Sequence, residues 1–303
     1  MIRARTLSNA SLHRVAFLTA AAVAISTLAG CSSEPTPSAG EAEVLSFEGL
    51  DYPSAIDVDS AGNVYITDWG NDRVLNLANG SNTQSTIPFD SLTSANGIAV
   101  GNDGNVYVSD GDSEDGRVLQ MSPNSTSQKV LATASHPTSL VVDDAGTVYV
   151  YDFGAVAVRK IVRGAKDRER EYAFLLGQTN LANSDEYFND VAIGSDGKLH
   201  VLTGMPGPQI YVLKTDTVLV ELPVLRGQDR FPTDIDINSA GDMVILDGKH
   251  GPRILKVAHG STDAVELSFG ELNKPSDVAI SDSGDVFVAD RNNHRVLKLQ
   301  AKN

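Results

Sequence analysis

The sequence contains a single cysteine, Cys31, so no disulfide can form within one chain and a packed core must hold the fold. No apolar run after residue 28 is long enough to span a bilayer. Basic residues are also scarce, because 24 Lys and Arg stand against 39 Asp and Glu, a net charge of −15. Such a surface repels phosphate, so we expect no nucleic-acid partner. It suits solubility, or the attraction of cations and basic proteins.

The first thirty residues have the pattern of an export signal. Arginines without any acidic residue precede the apolar stretch VAFLTAAAVAISTL, and Leu28-Ala29-Gly30-Cys31 follows. These four residues resemble the lipobox of bacterial lipoproteins, in which cleavage occurs before the cysteine and the thiol carries a diacylglyceryl group. The resemblance implies a signal peptide over residues 1–30, lipidation of Cys31 and anchoring at the extracytoplasmic face of the cell membrane. A chance cysteine after an ordinary signal peptide is the alternative.

Residues 31–42 contain SSEPTPSAGE and are interpreted as a flexible tether. From residue 43 to 303 the chain is built on one motif, whose last copy runs from Pro275 to Leu299. Each copy has three short apolar runs separated by a glycine turn and a polar loop, which predicts strands and hairpins. The turn glycines are Gly62, Gly104, Gly146, Gly197, Gly241 and Gly284, spaced by 42, 42, 51, 44 and 43 residues.

Periods of about 40 to 45 residues built from short strands are typical of propeller blades. The sequence therefore predicts an all-β fold, a six-bladed β-propeller of four-stranded antiparallel blades. Residues 43–47 are expected to complete the last blade, because EVLSFEGLDYPS resembles VELSFGELNKPS near the C-terminus. This closure leaves no open sheet edge for another chain, in agreement with a monomer. The longest interval contains the mixed-charge residues 166–170, which we interpret as a solvated loop.

Two further features recur in the motif. An aromatic residue follows the glycine by three positions, at Tyr65, Tyr107, Tyr149 and Phe287, and is expected to pack between blades. An aspartate follows it by six positions, at Asp68, Asp110, Asp152, Asp247 and Asp290, and a basic residue usually begins the next strand. We expect each aspartate and arginine pair to brace its loop by hydrogen bonding.

The repeated pattern DSAGNVYITDWGNDRVL resembles the NHL repeat, and the resemblance extends over residues 43–301. NHL domains are six-bladed propellers. The stretch RVLNLANGSNTQSTIPF is similar to the extracellular NHL sensor domain of mycobacterial-type receptor serine/threonine kinases, but this chain has no kinase motif. The resemblance implies a lipid-tethered, sensor-like propeller that binds a protein, peptide or cell-envelope ligand through loops at the mouth of its channel.

Loops that join strands two and three share one face of a propeller with loops that lead into strand one. The candidate ligand-binding residues in two of these loops are Asp68, Trp69, Asn71, Arg73, Asp290, Arg291, Asn292 and His294. Trp69 is the only tryptophan, and an exposed tryptophan is a plausible anchor for a partner. The alternative is that the polar members of this group only brace their loops.

A second candidate site consists of three aspartates at the third position of the motif, Asp190, Asp234 and Asp277. They come from consecutive blades and are expected to converge near the propeller axis. Oxygen ligands of this kind suit Ca²⁺, or a cationic group on a partner. Alternatively, each aspartate caps its own turn. Apart from this possible Ca²⁺, no cofactor is indicated.

The competing class is a metal-dependent lyase or lactonase that uses the same face. Gluconolactonase-like hydrolases use acidic residues and Asn around a metal, and streptogramin-type and peptide-amidating lyases need histidines near the channel. Candidate histidines are His136, His250 and His294, whereas His200 is interpreted as packing and His259 as part of an outer turn. No Ser/His/Asp order, zinc spacing or phosphate-binding loop is present. We therefore assign no catalytic residue and favour binding.

Overall fold

The computed structural model describes residues 40–113, 115–162, 170–174, 188–203, 209–215, 218–222, 230–248 and 251–301. These residues form six antiparallel sheets of four strands each. The fold is a six-bladed β-propeller, which confirms the sequence prediction. Among the described residues, no helix has the length and apolarity needed to cross a membrane. The predicted signal peptide, Cys31 and most of the tether lie outside the described part.

The chain contributes one strand, β1 (Glu43–Val44), before the first complete blade. Blade one consists of β2 (Pro53–Val58), β3 (Val64–Asp68), β4 (Arg73–Leu77) and β5 (Gln84–Ile87). The strands of blades two and three are β6 (Ala95–Val100), β7 (Val106–Asp110), β8 (Gly116–Met121), β9 (Lys129–Ala134), β10 (Pro137–Val142), β11 (Val148–Asp152), β12 (Ala157–Val162) and β13 (Arg170–Phe174).

Blades four to six follow the same plan. Their strands are β14 (Phe188–Ile193), β15 (Leu199–Thr203), β16 (Gln209–Thr215), β17 (Val218–Leu222), β18 (Pro232–Ile237), β19 (Met243–Asp247), β20 (Arg253–Val257), β21 (Ala264–Leu267), β22 (Asp277–Ile280), β23 (Val286–Asp290) and β24 (Arg295–Leu299). The predicted solvated loop over residues 166–170 needs a correction at its last residue. Arg170, assigned to the solvated loop, begins β13 and pairs with Val162, while residues 166–169 lie outside the described part.

The ring closes as predicted, because β1 is the outermost strand of blade six. Val44 pairs with Leu297 of β24, and the N–H of Leu45 donates to the carbonyl of Val296 at 2.9 Å. A strand from the start of the propeller therefore covers the outer edge of blade six, which contains the end of the propeller. Without this cover, the exposed edge could pair with another chain.

The core lies between the blades. Six clusters of buried apolar residues occupy the six interfaces between neighbouring blades. Tyr107 and Tyr149 each contact the following blade, and Phe287 packs on Ile56 and Ile66 across the closing seam. The predicted role of the strand-two aromatic residues in blade packing is thereby confirmed.

The six turn glycines all have positive φ, from +71° to +85°, as the hairpin geometry requires. In blade one, Asp59 caps this turn by accepting the N–H groups of Ala61 and Asn63. Side chains other than glycine are strained at these φ values, which explains why glycine repeats with the period of the blade.

Candidate functional site

The innermost strands of the six blades, β2, β6, β10, β14, β18 and β22, surround a central channel that contains two cavities. The upper cavity has a volume of about 280 Å³ and is lined by residues from all six of these strands and by Arg291. The lower cavity has a volume of about 210 Å³. Asp57 and Asp236 line both cavities and therefore lie between them.

The three predicted aspartates of the motif line the upper cavity, and each bridges to the next blade. Asp190 accepts the backbone N–H of Ile235 at 2.9 Å, and Asp234 accepts that of Val278 at 2.8 Å. Asp277 accepts the N–H of Ile56 at 2.8 Å and so joins the last blade to the first. An innermost strand is a sheet edge whose N–H groups need partners, and these carboxylates supply them.

Two aspartates that the sequence analysis missed repeat this arrangement lower in the channel. Asp57 accepts the N–H groups of Val58 and of Val100 in the next blade. Asp236 does the same with Ile237 and Ile280. The sequence pattern that could have indicated them is an aspartate between two apolar residues of an innermost strand. Asp57 has this position in AIDV and Asp236 in DIDI. A charged group at such a position is rare unless it has bonding partners.

Burial disfavours the charged form of all five carboxyl groups. It raises the pKa of Asp236 to about 6 and that of Asp277 to about 7. The pKa values of Asp57 and Asp234 lie well above their usual range, mainly through burial and then through the charge of neighbouring carboxylates. Burial also raises the pKa of Asp190, against the hydrogen bonds that it accepts.

The carboxyl group of Asp234 is a close neighbour of those of Asp190 and Asp277, near enough to share a proton with either. Two carboxyl groups can bond to each other only through a shared proton, so this trio retains protons at a pH where an exposed aspartate is ionised. Among the residues that the structure describes, no group of three or more His, Cys, Asp or Glu has the geometry of a metal site. Ca²⁺ binding at the trio stays a prediction.

The opposite half of the channel is built without these carboxylates, because Ala55, Gly97 and Ser139 occupy the third position of the motif. Ser139 donates to Asp190, and its Oγ lies 3.4 Å from the N–H of Val191. A Cβ on Gly97 would lie 2.3 Å from the carbonyl oxygen of Thr138. At Gly97 the backbones of blades two and three therefore lie so close together that no side chain fits at this position.

The predicted binding residues fall into two groups, and the first braces its loops. Asp68 is fully buried and accepts from the side chains of Asn71 and Arg73 at 2.8 and 2.6 Å, and from the N–H of Asp51. Asp290 bonds to Arg295 in the same way at 2.8 Å. Ion pairs also join Asp110 with Arg117, Asp152 with Arg159 and Asp247 with Arg253, so the expected brace is confirmed in five blades.

The second group lies at the mouth of the upper cavity. The Arg291 guanidinium lies 5.2 Å from the ring centre of Trp69 and 5.7 Å from that of Tyr52, within cation–π range. Trp69 is held by a 2.9 Å hydrogen bond from its Nε1 to Ser94 Oγ. Asn292 is partly buried, and its N–H donates to the carbonyl of Asn273.

His294 belongs to the closing seam. Its Nδ1 accepts the N–H of Tyr52 at 3.2 Å, and its ring packs edge-on against Tyr52. Asp51 Oδ1 lies 3.3 Å from the same nitrogen. This contact joins the last blade to the loop before the first.

The remaining histidines are scattered. His136 packs edge-on against Phe153 on the face that bears the mouth, whereas His200 and His259 both line a separate 370 Å³ cavity between blades four and five. Burial lowers the pKa of His200, in agreement with its interpretation as a packing residue. His250 lies outside the described residues.

Sequence reasoning also missed most of the exposed aromatic side chains. Tyr52, Trp69, Phe153 and Phe231 are 37 to 41% exposed. Tyr52 and Phe231 directly precede an innermost strand, and Trp69 and Phe153 directly follow a second strand. All four therefore lie on one face, which we call the mouth face and define by the loops 51–52, 69–72, 153–156, 231 and 291–294.

This architecture defines the chain as a β-propeller of six blades. The chain contains an NHL repeat, since the model of that family matches residues 272–299, which include β22, β23 and β24. No curated protein matches the sequence at a significant level.

Solved structures share the fold at low sequence identity. A virginiamycin B lyase from Staphylococcus aureus is 14% identical with a TM-score of 0.59, and the match covers 86% of this chain and 88% of that one. A gluconolactonase from Xanthomonas campestris is 11% identical with a TM-score of 0.64, and the match covers 84 and 88%. A chain of a nidogen/laminin complex is 15% identical with a TM-score of 0.57, and the match covers 73 and 81%. The fold thus occurs in lyases, lactonases and binding domains.

Proposed function

We propose that this propeller is a membrane-anchored, extracytoplasmic binding module, sensor-like in architecture, that recognises a protein, peptide or cell-envelope ligand on its mouth face. The observation that carries the proposal is the position of the exposed aromatic side chains. Every exposed Phe, Tyr or Trp of the described residues, namely Tyr52, Trp69, Phe153 and Phe231, lies on that face. Aromatic residues are enriched where partners bind, because they offer a large contact area at low entropic cost.

The surroundings of these side chains support the same role. The aromatic residues flank the upper cavity, whose wall is rigid because the carboxylates and the Asp–Arg braces fix the strands and loops around it. A rigid frame with exposed aromatic anchors loses little conformational entropy when a partner binds. The structural likeness to lyases and lactonases concerns the fold, and no described cluster of side chains favours their chemistry over binding.

The anchor is part of the proposal and has its own test. Lipidation is measured by growing cells with an alkyne-labelled fatty acid and detecting label on the protein. Wild type is expected to carry the label and to fractionate with membranes, and Cys31→Ser to lose both. Labelling of Cys31→Ser at the wild-type level would overturn the anchor without affecting the binding role.

The binding face is tested by photo-crosslinking on intact cells. Photoreactive residues replace Asn293 on the mouth face or Val130 on an outer strand, and both positions are exposed. We expect a defined adduct from position 293 only, and a several-fold weaker adduct when Trp69→Ala and Phe153→Ala are combined with it. Equal adducts from both positions, or no effect of the aromatic substitutions, would contradict the proposal.

A further inference from the structure

Arg291 differs from every other arginine whose side chain the structure describes. The other six each have a carboxylate within 4.0 Å: Arg73, Arg117, Arg159, Arg230, Arg253 and Arg295. In the described part of the chain, no carboxylate lies that close to Arg291, and its contacts are the rings of Trp69 and Tyr52. None of the described acidic residues therefore pairs with this guanidinium, which lies at the mouth of the larger of the two channel cavities.

No hydrogen bond from the Arg291 guanidinium to another described side chain accompanies these aromatic contacts. A guanidinium has five N–H donors that point outward within its plane. Such a group is suited to bind a carboxylate through two parallel hydrogen bonds. Arg291 is also partly exposed, so an incoming anion can reach it.

The cavity below Arg291 imposes the opposite charge requirement. Arg291 is the only basic residue in its described lining, and five aspartates line the same space. A simple anion that enters beyond the mouth meets carboxyl groups such as Asp234 and Asp277. A ligand that satisfies both regions carries a carboxylate at the mouth and a positive group deeper in the channel.

Resting on the proposed function, we infer that the upper cavity binds the C-terminal lysine or arginine of a peptide. The terminal carboxylate pairs with Arg291, the aliphatic part of the side chain passes Tyr52 and Trp69, and the positive end lies among the channel carboxyl groups. Aliphatic stems of basic side chains pack well on aromatic rings while their charged ends find polar partners. The preceding residues of the peptide lie on the mouth face.

Trp69 provides a direct measurement, because it is the only tryptophan and contacts Arg291. The probe is acetyl-Ala-Ala-Lys, compared with its C-terminal amide and with acetyl-Ala-Ala-Ala, titrated into the purified full-length protein in detergent. We expect a saturable change in tryptophan fluorescence with the free acid, and at least tenfold weaker binding of the amide and of the alanine peptide.

Two variants separate the specific effect from a general loss of charge. Arg291→Gln is expected to bind the acid and the amide of the lysine peptide equally weakly. Lys274→Gln removes one positive charge from an exposed position outside the cavity lining and is expected to keep the tenfold preference. Circular dichroism melts of both variants check that they fold.

Equal binding of acid and amide by wild type, or no saturable signal from the lysine peptide at millimolar concentration, would overturn the inference. The crosslinking at position 293 is independent of these peptides. A mouth-face adduct without any preference for a basic C-terminus would therefore leave the proposed function standing and reject only this ligand class.

Discussion

Asp277 in the last blade accepts the backbone N–H of Ile56 in the first blade at 2.8 Å, across 221 positions of sequence. The seam of the ring is thus joined on both sides. Outside, β1 pairs with β24, and inside, the Asp277 carboxylate reaches across the channel wall. The two devices are chemically different, since one is a backbone ladder and the other depends on a titratable side chain.

This bond leads to a prediction that uses two substitutions of one residue. Asp277→Ala removes the oxygen that accepts the N–H of Ile56 and leaves this N–H without that hydrogen bond. We therefore expect the free energy of unfolding at pH 5.5 to fall by about 1–3 kcal/mol. Asp277→Asn keeps an acceptor oxygen and is expected to match wild type there. Urea unfolding curves measure both. Equal stability of the Ala and Asn variants would show that the bond contributes nothing.

A second prediction concerns pH. The folded-state pKa values of Asp236 and Asp277, about 6 and about 7, exceed the unfolded value of about 3.9, so the folded protein holds protons that the unfolded chain releases. Their stabilising contribution is complete below about pH 4 and is lost progressively as the pH rises from there to about 6 for Asp236 and about 7 for Asp277. We therefore expect a higher melting temperature at pH 5 than at pH 8. Asp277→Asn should reduce this difference and melt above wild type at pH 8, and a melting temperature that rises from pH 5 to pH 8 would contradict the prediction.

A third prediction concerns the direct contact of blades two and three. A Cβ at Gly97 would lie 2.3 Å from a backbone oxygen, so Gly97→Ala must separate the two blades and is expected to cost about 1–3 kcal/mol. Gly248→Ala is the matched control, since its Cβ would meet nothing closer than 3.8 Å. Thermal unfolding of both variants gives the comparison. A Gly97→Ala protein as stable as the control would mean that the interface yields without strain.

The fourth prediction addresses Ca²⁺. If the cation replaces the shared protons of the Asp190, Asp234 and Asp277 trio, millimolar Ca²⁺ raises the melting temperature at pH 8, where the carboxyl groups ionise. The triple Asn variant should lose this rise. Mg²⁺ serves as the control, because it demands a tighter octahedral geometry. An unchanged melting temperature of wild type in Ca²⁺ would reject the metal site and leave protonation as the means of neutralising the trio.

The sequence predicted the fold well because its signals were periodic. Gly62 and its counterparts occupy turn positions where the backbone has a positive φ, and the aspartate and arginine pairs hold the loop after the second strand. Both features therefore repeat once in each blade or nearly so. Asp57 and Asp236 were missed because they occur in two blades only. Their partners, the N–H groups of Val100 and Ile280, belong to neighbouring blades, and sequence periodicity does not show which groups face one another across the channel.

The candidate site was harder to predict for the same reason. Asp68 is the last residue of the second strand in blade one and Arg291 follows the second strand in blade six, and the sequence alone gives no reason to separate their roles. The structure separates them, since Asp68 is buried among donors and Arg291 is left between two rings. Tyr52 is distant from Arg291 in sequence and reaches it only through closure of the ring.

The position of β1 also determines how the propeller responds to force. The chain before residue 43 is attached to the outermost strand of blade six, a strand of two residues held by few backbone bonds. Tension applied from that side therefore reaches the seam before any other part of the ring. The hydrogen bond from Ile56 to Asp277, on the inner side of the same blade, still joins blade six to blade one after β1 has detached. It must also break before the ring opens.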